Sequence, residues 1–202
     1  ALPRTVAAAG IAALGRAART DKSKALVIWP RTLELLDIQG CAQVFIDAGV
    51  RASGARILGE GRELAHAHFG LARSAYPYAL MIPQSETEAL LEQLLAAAGV
   101  QVERQTELLS FADDGQRVSA RLRHADGRVE PASAAWLAAC DGAHSTVRHA
   151  LDLPFDGDTL ESDWVLADVL IDGELPNEEL TICWMPDGIL AFLPLDGPEG
   201  RS

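Results

Sequence analysis

Between positions 140 and 148 the chain reads Cys140-Asp-Gly-Ala-His-Ser-Thr-Val-Arg148, which puts an acid, a glycine, an imidazole, a hydroxyl and a guanidinium within one short stretch. Gly142 permits a tight turn or a close approach of the backbone to a ligand. Asp141 would stand at the carboxyl end of a preceding strand, where open α/β sheets place ligands. Ser145 is a suitable cap for a helix starting at Thr146, which would leave backbone N–H groups aimed into the crevice. The chemistry on offer is anion binding. An ordinary strand-turn-helix junction has the same local signature. The Asp-Gly pairs at Asp114, Asp126, Asp172 and Asp187 read as plain turns, and what separates the pair at Asp141 is its package of preceding apolar strand, Asp-Gly, Ser145 and Arg148.

Other chemistry-bearing residues are scattered. Lys24 lies in a polar loop, and Gln84 precedes a helix, where its side chain would sit near any anion docked at the positive end. His66 and His68 alternate, so a strand would project both from one face. Two imidazoles could begin a metal site, but no third ligand stands nearby in sequence and no metal is expected. Cys41, Cys140 and Cys183 have neither C-x-x-C nor zinc spacing and read as reduced, mostly buried thiols. No residue can be nominated as a catalytic acid or base.

The elements that must position these groups can be read from pattern. Residues 134–140 form an apolar run suited to a strand buried on both faces. Pro30 suits the first turn of a helix running to Gln39 and stopped by Gly40, with Leu33 and Leu36 facing a core. A short helix follows over residues 42–48. The spacing predicts a longer helix over 86–98, capped by Ser85 with Glu88 as a capping box, carrying Leu90, Leu91, Leu94 and Leu95, and ended by Gly99. Residues 54–83 read as irregular β structure with a turn at Gly59-Glu-Gly61. Residues 108–112 and 117–124 form a hairpin about Asp113-Asp-Gly115, and the following strand completes a β-meander. Further strands are expected over 163–171, 180–185 and 189–195, with Trp164 and Trp184 as packing residues rather than the walls of an aromatic pocket. Residues 1–20, rich in alanine, favour a helix.

Three stretches together carry a resemblance. The segment around Asp141 resembles the D-G-x-x-S-x-V-R motif of the FAD-dependent class A flavoprotein monooxygenases, the aromatic hydroxylases that include the para-hydroxybenzoate and phenol hydroxylases. Residues 23–37, with Trp29-Pro-Arg-Thr-Leu-Glu34, resemble the segment after that family's second strand. Residues 81–91, from Met81-Ile-Pro-Gln84 onward, resemble its helix with a flavin-contacting glutamine. The resemblance covers roughly residues 20–196. The family's G-x-G-x-x-G fingerprint is absent from residues 1–20, and its later Gly-Asp motif would lie beyond residue 202, so the chain reads as an internal portion.

The resemblance implies an α/β fold: a partial Rossmann-like FAD-binding domain with an appended β-meander and an antiparallel substrate-domain sheet. It divides the chain into FAD-binding residues 1–53, substrate-domain strands over 54–83, FAD-binding residues 84–153 and a partial substrate domain over 154–202. It implies that Lys24, Gln84, Asp141, Gly142, His144 and Arg148 bind cofactor. Lys24 stands where the family usually has arginine, and Arg148 reads as a structural brace. The implied reaction is reduction of FAD by NAD(P)H, followed by transfer of one atom of molecular oxygen to an activated aromatic ring. A degenerate scaffold without catalysis, and a halogenase or reductase on the same scaffold, are the alternatives.

Composition suits one globular core, or one domain plus part of another. A chain of 202 residues that is 49% hydrophobic can bury a core. Seventeen basic against 29 acidic residues give a formal net charge of −12, which argues against nucleic acid or an anionic membrane as partner. No apolar run approaches the roughly 20 residues of a membrane span, and no secretory signal is evident, so a cytoplasmic protein is expected.

Overall fold

The computed structural model describes residues 12–14, 17–19, 23–159, 161–173 and 175–195. The elements are, in order, strands β1 (Ala12–Leu14) and β2 (Val27–Ile28), helices α1 (Pro30–Ile38) and α2 (Ala42–Ile46), and strands β3 (Val50–Ala52), β4 (Gly54–Gly59) and β5 (Arg62–His68). Strand β6 (Ala79–Met81) and helix α3 (Gln84–Ala97) follow. The next four elements are β7 (Val102–Arg104), β8 (Glu107–Asp113), β9 (Val118–Arg123) and β10 (Val129–Ala134). Helix α4 (Thr146–Ala150) and the pair β11 (Glu179–Met185) and β12 (Gly188–Phe192) complete the chain. Two compact units result: one holds the described residues within 19–98 and 166–195, the other those within 12–18 and 99–165. The fold mixes helices with several largely antiparallel sheets. Among the described residues no helix is long and apolar enough to cross a membrane.

The first unit has a dense centre. Pro30 opens α1, where its missing N–H forfeits no helical bond. Gly40, at φ +73°, turns the chain out as expected. Leu33 is fully buried and Leu36 packs beside it. With Phe45 and Ile46 of α2, Leu80 of β6 and Ile82, they form one cluster, while Leu26, Ala52, Ala79 and Met81 form another. The sheet β2-β6-β3 runs through both and is antiparallel at each step.

The second sheet of this unit has the order β12-β11-β4-β5. Strands β4 and β5 are a hairpin whose turn residues Glu60 and Gly61 have φ +51° and +74°, the double positive φ of a type I′ turn. Strands β11 and β12 form the expected second hairpin. Less expected is that β11 joins β4 in parallel, with Glu179 opposite Gly54 and Thr181 opposite Arg56.

The second unit holds the meander β10-β9-β8 and the parallel pair β1-β7. Along β9 the expected alternation holds, with Val118, Ala120 and Leu122 turned inward and Ser119, Arg121 and Arg123 outward.

Several expectations are corrected. Helix α3 starts at Gln84, not Glu86: Pro83 is the N-cap, and no side chain caps the helix, so Ser85 is inside it. Pro83, with φ near its ring-imposed value and ψ extended, delivers the chain into helix one residue later. Leu90 and Leu94 pack on the core, whereas Leu91 and Leu95 are exposed. Helix α2 ends at Ile46, short of residue 48. The strand expected over 134–140 does not form. Strand β10 ends at Ala134, and Trp136 is 88% exposed, because no described segment takes up the N–H and C=O groups of residues 135–140. The strand expected over 163–171 is likewise absent. Trp164 and Trp184 are both exposed rather than packed, Trp164 on a segment without regular structure and Trp184 near the end of β11. Cys41 is buried, but Cys140 is exposed and Cys183 half-buried. The helix expected over 1–20 falls largely outside the described residues, and where they resume, residues 12–14 are strand.

Candidate functional site

The residues singled out from sequence fall into three groups. The first is mounted on the packed core. Leu26 and Ile28 are buried on either side of half-buried Val27, which fixes the start of the segment carrying Lys24. Across from it, Ile82 donates its N–H to the Leu26 carbonyl at 2.9 Å, so the approach to α3 runs beside this segment. Ala25 then donates its N–H to Gln84 Oε1 at 3.3 Å, and Gln84 Nε2 donates to Glu88 Oε1 at 2.7 Å. The structure thus brings Gln84 to the residue next to Lys24, 59 positions away in sequence. The Lys24 side chain is exposed, and its ammonium has no partner among the described residues.

The second group is the turn at Asp141. Asp141 Oδ2 accepts from the N–H of Thr146 at 2.8 Å and of Val147 at 3.4 Å. Ser145 is the N-cap, as its type predicts, and its Oγ accepts from the Arg148 N–H at 3.0 Å. The three N–H groups that open α4 are therefore already satisfied, which corrects the expectation that they face a crevice. The free donors lie one turn earlier. The backbone N–H groups of Gly142, Ala143 and His144 donate to no group among the described residues. Gly142 has φ +81°, and a Cβ there would meet nothing within 4 Å, so the turn is open on that side. His144 is exposed. The Ser145 hydroxyl, aided by backbone N–H groups of the turn and of α4, lowers the Asp141 pKa below the ordinary aspartate value against the opposing effect of burial.

Arg148 behaves as the brace its position suggests. One guanidinium nitrogen donates to the Ala143 carbonyl at 2.6 Å, another to His149 Nε2 at 2.6 Å, and the plane lies 4.8 Å over the Phe155 ring. Only its buried Nε has no partner.

The third group was only half visible in sequence. His66 and His68 do project from one face of β5, with ring centroids 4.1 Å apart. The parallel pairing of β11 with β4 adds Glu179 to that face, 113 residues from His66. Glu179 Oε1 is 2.8 Å from His66 Nε2, and Oε2 accepts from Arg56 Nε at 2.5 Å. The hydrogen bond from Arg56, then that from His66, holds the Glu179 carboxyl below its usual pKa. No local spacing announces Glu179; only the strand register does.

Each of the first two groups, taken by itself, offers anion-binding chemistry: an exposed ammonium in one, and in the other a turn whose N–H groups at Gly142, Ala143 and His144 have no acceptor among the described residues, beside a glycine open to close approach. Comparison with known proteins points the same way. A family described as "FAD binding domain" matches residues 14–199. The chain is 35% identical over 178 residues to 6-methylpretetramide 4-monooxygenase of Streptomyces rimosus, covering 87% of this chain and 32% of that protein. It is 31% identical to an uncharacterized aromatic compound monooxygenase, YhjG, of Bacillus subtilis, covering 89% of this chain and 35% of that one. A crystal structure of aklavinone-11 hydroxylase in a ternary complex with FAD and aklavinone superposes with a TM-score of 0.57 at 26% identity, covering 69% of this chain and 29% of that one. The chain spans about a third of the length of the relatives it matches. With the match running across nearly all the described residues, the chain belongs to the FAD binding domain family.

Proposed function

We propose that the chain is part of an FAD-dependent, NAD(P)H-using monooxygenase that hydroxylates a small aromatic substrate with molecular oxygen, in the cytoplasm. What carries this reading is the turn at Asp141: the stretch that resembles the flavin motif also presents three N–H groups with no acceptor among the described residues, and an open glycine. The names of the relatives, which speak of monooxygenation and of aromatic compounds, support it.

In this reading Lys24 offers its ammonium to the cofactor's pyrophosphate as a point charge, without the two-pronged fork an arginine would supply. Gln84 holds the Lys24 segment through Ala25 and keeps an amide hydrogen for the flavin. Asp141 and Ser145 hold the start of α4, Gly142 lets a bulky group approach the backbone, and His144 offers an imidazole to a phosphate. Arg148 fixes the shape of the turn and does not touch cofactor. FAD, when bound, supplies the redox chemistry and NAD(P)H its electrons, while the protein binds, orients and excludes water. Residues 1–53 and 84–153 serve the flavin, and residues 54–83 and 154–202 belong to the substrate side.

The test is turnover with FAD, NADH or NADPH, 18O-labelled dioxygen and a panel of phenols. One labelled oxygen atom in the product is expected. A halide-dependent product, or a reduced product without label, would move the chain to the halogenase or reductase reading. Flavin binding without any turnover would leave a scaffold.

A further inference from the structure

We propose that His66, His68 and Glu179 form a binding site for a first-row divalent transition cation, with Zn2+ as its natural probe. The inference is independent of the flavin reading. Three ligand-type atoms, one from each residue, lie within 4.8 Å of one another. Two imidazoles and one carboxylate are a donor set that suits zinc and leaves a fourth position for water. Ligand atoms about 2.0–2.1 Å from a tetrahedral ion stand roughly 3.4 Å apart. The 2.8 Å contact between His66 and Glu179 must therefore open slightly and His68 must swing in. His68 is free to do so, being exposed and without a hydrogen bond among the described residues.

Three features of the sheet make this more than a cluster of polar groups. Gly54 pairs with Glu179 on one side and His68 on the other, so the strand between two of the ligands carries no side chain. A Cβ at Gly54 would sit 3.5 Å from Glu179 Oε1 and 2.6 Å from the Ala67 carbonyl oxygen, filling the space an ion needs. Glycine inside a strand often marks such a close approach. Second, one outer partner is in place and another stands close. Arg56 holds the second oxygen of Glu179, leaving Oε1 toward the histidines, and Glu63 Oε1 lies 4.0 Å from His66 Nδ1, the nitrogen that would not ligate. Ligating histidines and carboxylates are commonly oriented this way. Third, the register of β5 against β4 shifts after the pair Ile57–Ala65, so that Glu63 faces Leu58. The extra residue brings Glu63 onto the face of His66, from which strict alternation would exclude it.

His68 separates a metal site from a purely structural ion network, since the bonds from Arg56 and His66 to Glu179 do not involve it. The experiment is a Zn2+ titration of the purified chain against a chromophoric chelator, without flavin, repeated with Co2+ for its visible spectrum. One ion per chain is expected, without a thiolate-to-cobalt charge-transfer band. His68→Ala, with circular dichroism confirming the fold, should weaken binding by more than about tenfold, the smallest loss that removing even an outer partner produces. Glu179→Gln should weaken it similarly and keeps the test valid if the histidine variant folds poorly. No stoichiometric binding, equal affinity of His68→Ala and the parent chain, or a thiolate band would each overturn the proposal.

Discussion

The two groups of residues assigned to flavin are held by different forces. Lys24 and Gln84 belong to elements packed on a closed core, in which Leu33 and Phe45 are fully buried and to which Ile28, Ile82 and Leu90 contribute, and a 3.3 Å hydrogen bond joins the Lys24 segment to the amide. The turn from Asp141 to Arg148 is nearly the reverse. Its helix has five residues, with Val147 its only buried side chain, and it is fixed by bonds from Asp141, Ser145 and Arg148. One group owes its geometry to packing, the other to local polar contacts. Loss of apolar volume should therefore destroy the first and spare the second, while loss of single polar atoms should do the opposite.

The largest effect is expected from Phe45→Ala, which opens a cavity in the core and should cost about 3–5 kcal/mol, measured as a lower urea midpoint. Next is Ser145→Ala, which removes a cap and should cost about 1 kcal/mol. Its effect should appear as faster hydrogen exchange at Arg148, with the core amides unchanged. Gly142→Ala forces a side chain onto a residue at φ +81° and should cost on the order of 1 kcal/mol. No clash adds to this cost, so a much larger loss would mean that the turn is more tightly enclosed than the structure has it.

A subtler separation comes from acid. The Asp141 pKa is lowered in the folded chain, first by the Ser145 hydroxyl, so its contribution to stability is complete above the ordinary aspartate value of 3.8 and is lost as pH falls through the lower folded value. The amide shift of Thr146, followed by NMR, should titrate with a midpoint below 3.8 in the parent chain and show no such step in Asp141→Asn. A midpoint at or above that value would contradict the capping geometry. The smallest effect is expected from Gln84→Ala, within about 0.5 kcal/mol of the parent in stability, with any loss confined to flavin affinity.

How much of this was legible in sequence follows the same division. Ser145 could be read as a cap because a cap is a local event, decided by a hydroxyl three residues before an N–H. Gly40, the turn at Glu60-Gly61 and the alternation along β9 were readable for the same reason. The start of α3 was misplaced because Ser85 and Glu88 have capping-box spacing, while Pro83 next door ends the extended chain first. Residues 134–140 have the composition of a buried strand, yet a strand exists only where a neighbour pairs with it, and composition carries no neighbour. The same blindness hid Glu179. His66 and His68 are two apart and share a face by necessity, but Glu179 reaches them only through the register of β11 on β4, a contact across more than a hundred residues that no spacing rule encodes.

The proposed flavin binding is tested most directly by a titration of FAD with the purified chain, followed by quenching of flavin fluorescence. The prediction is saturable quenching with one FAD per chain, weakened by Asp141→Ala and by Lys24→Ala while circular dichroism stays unchanged. A well-folded chain that leaves the fluorescence of FAD untouched, or binds it equally well in both variants, would contradict it.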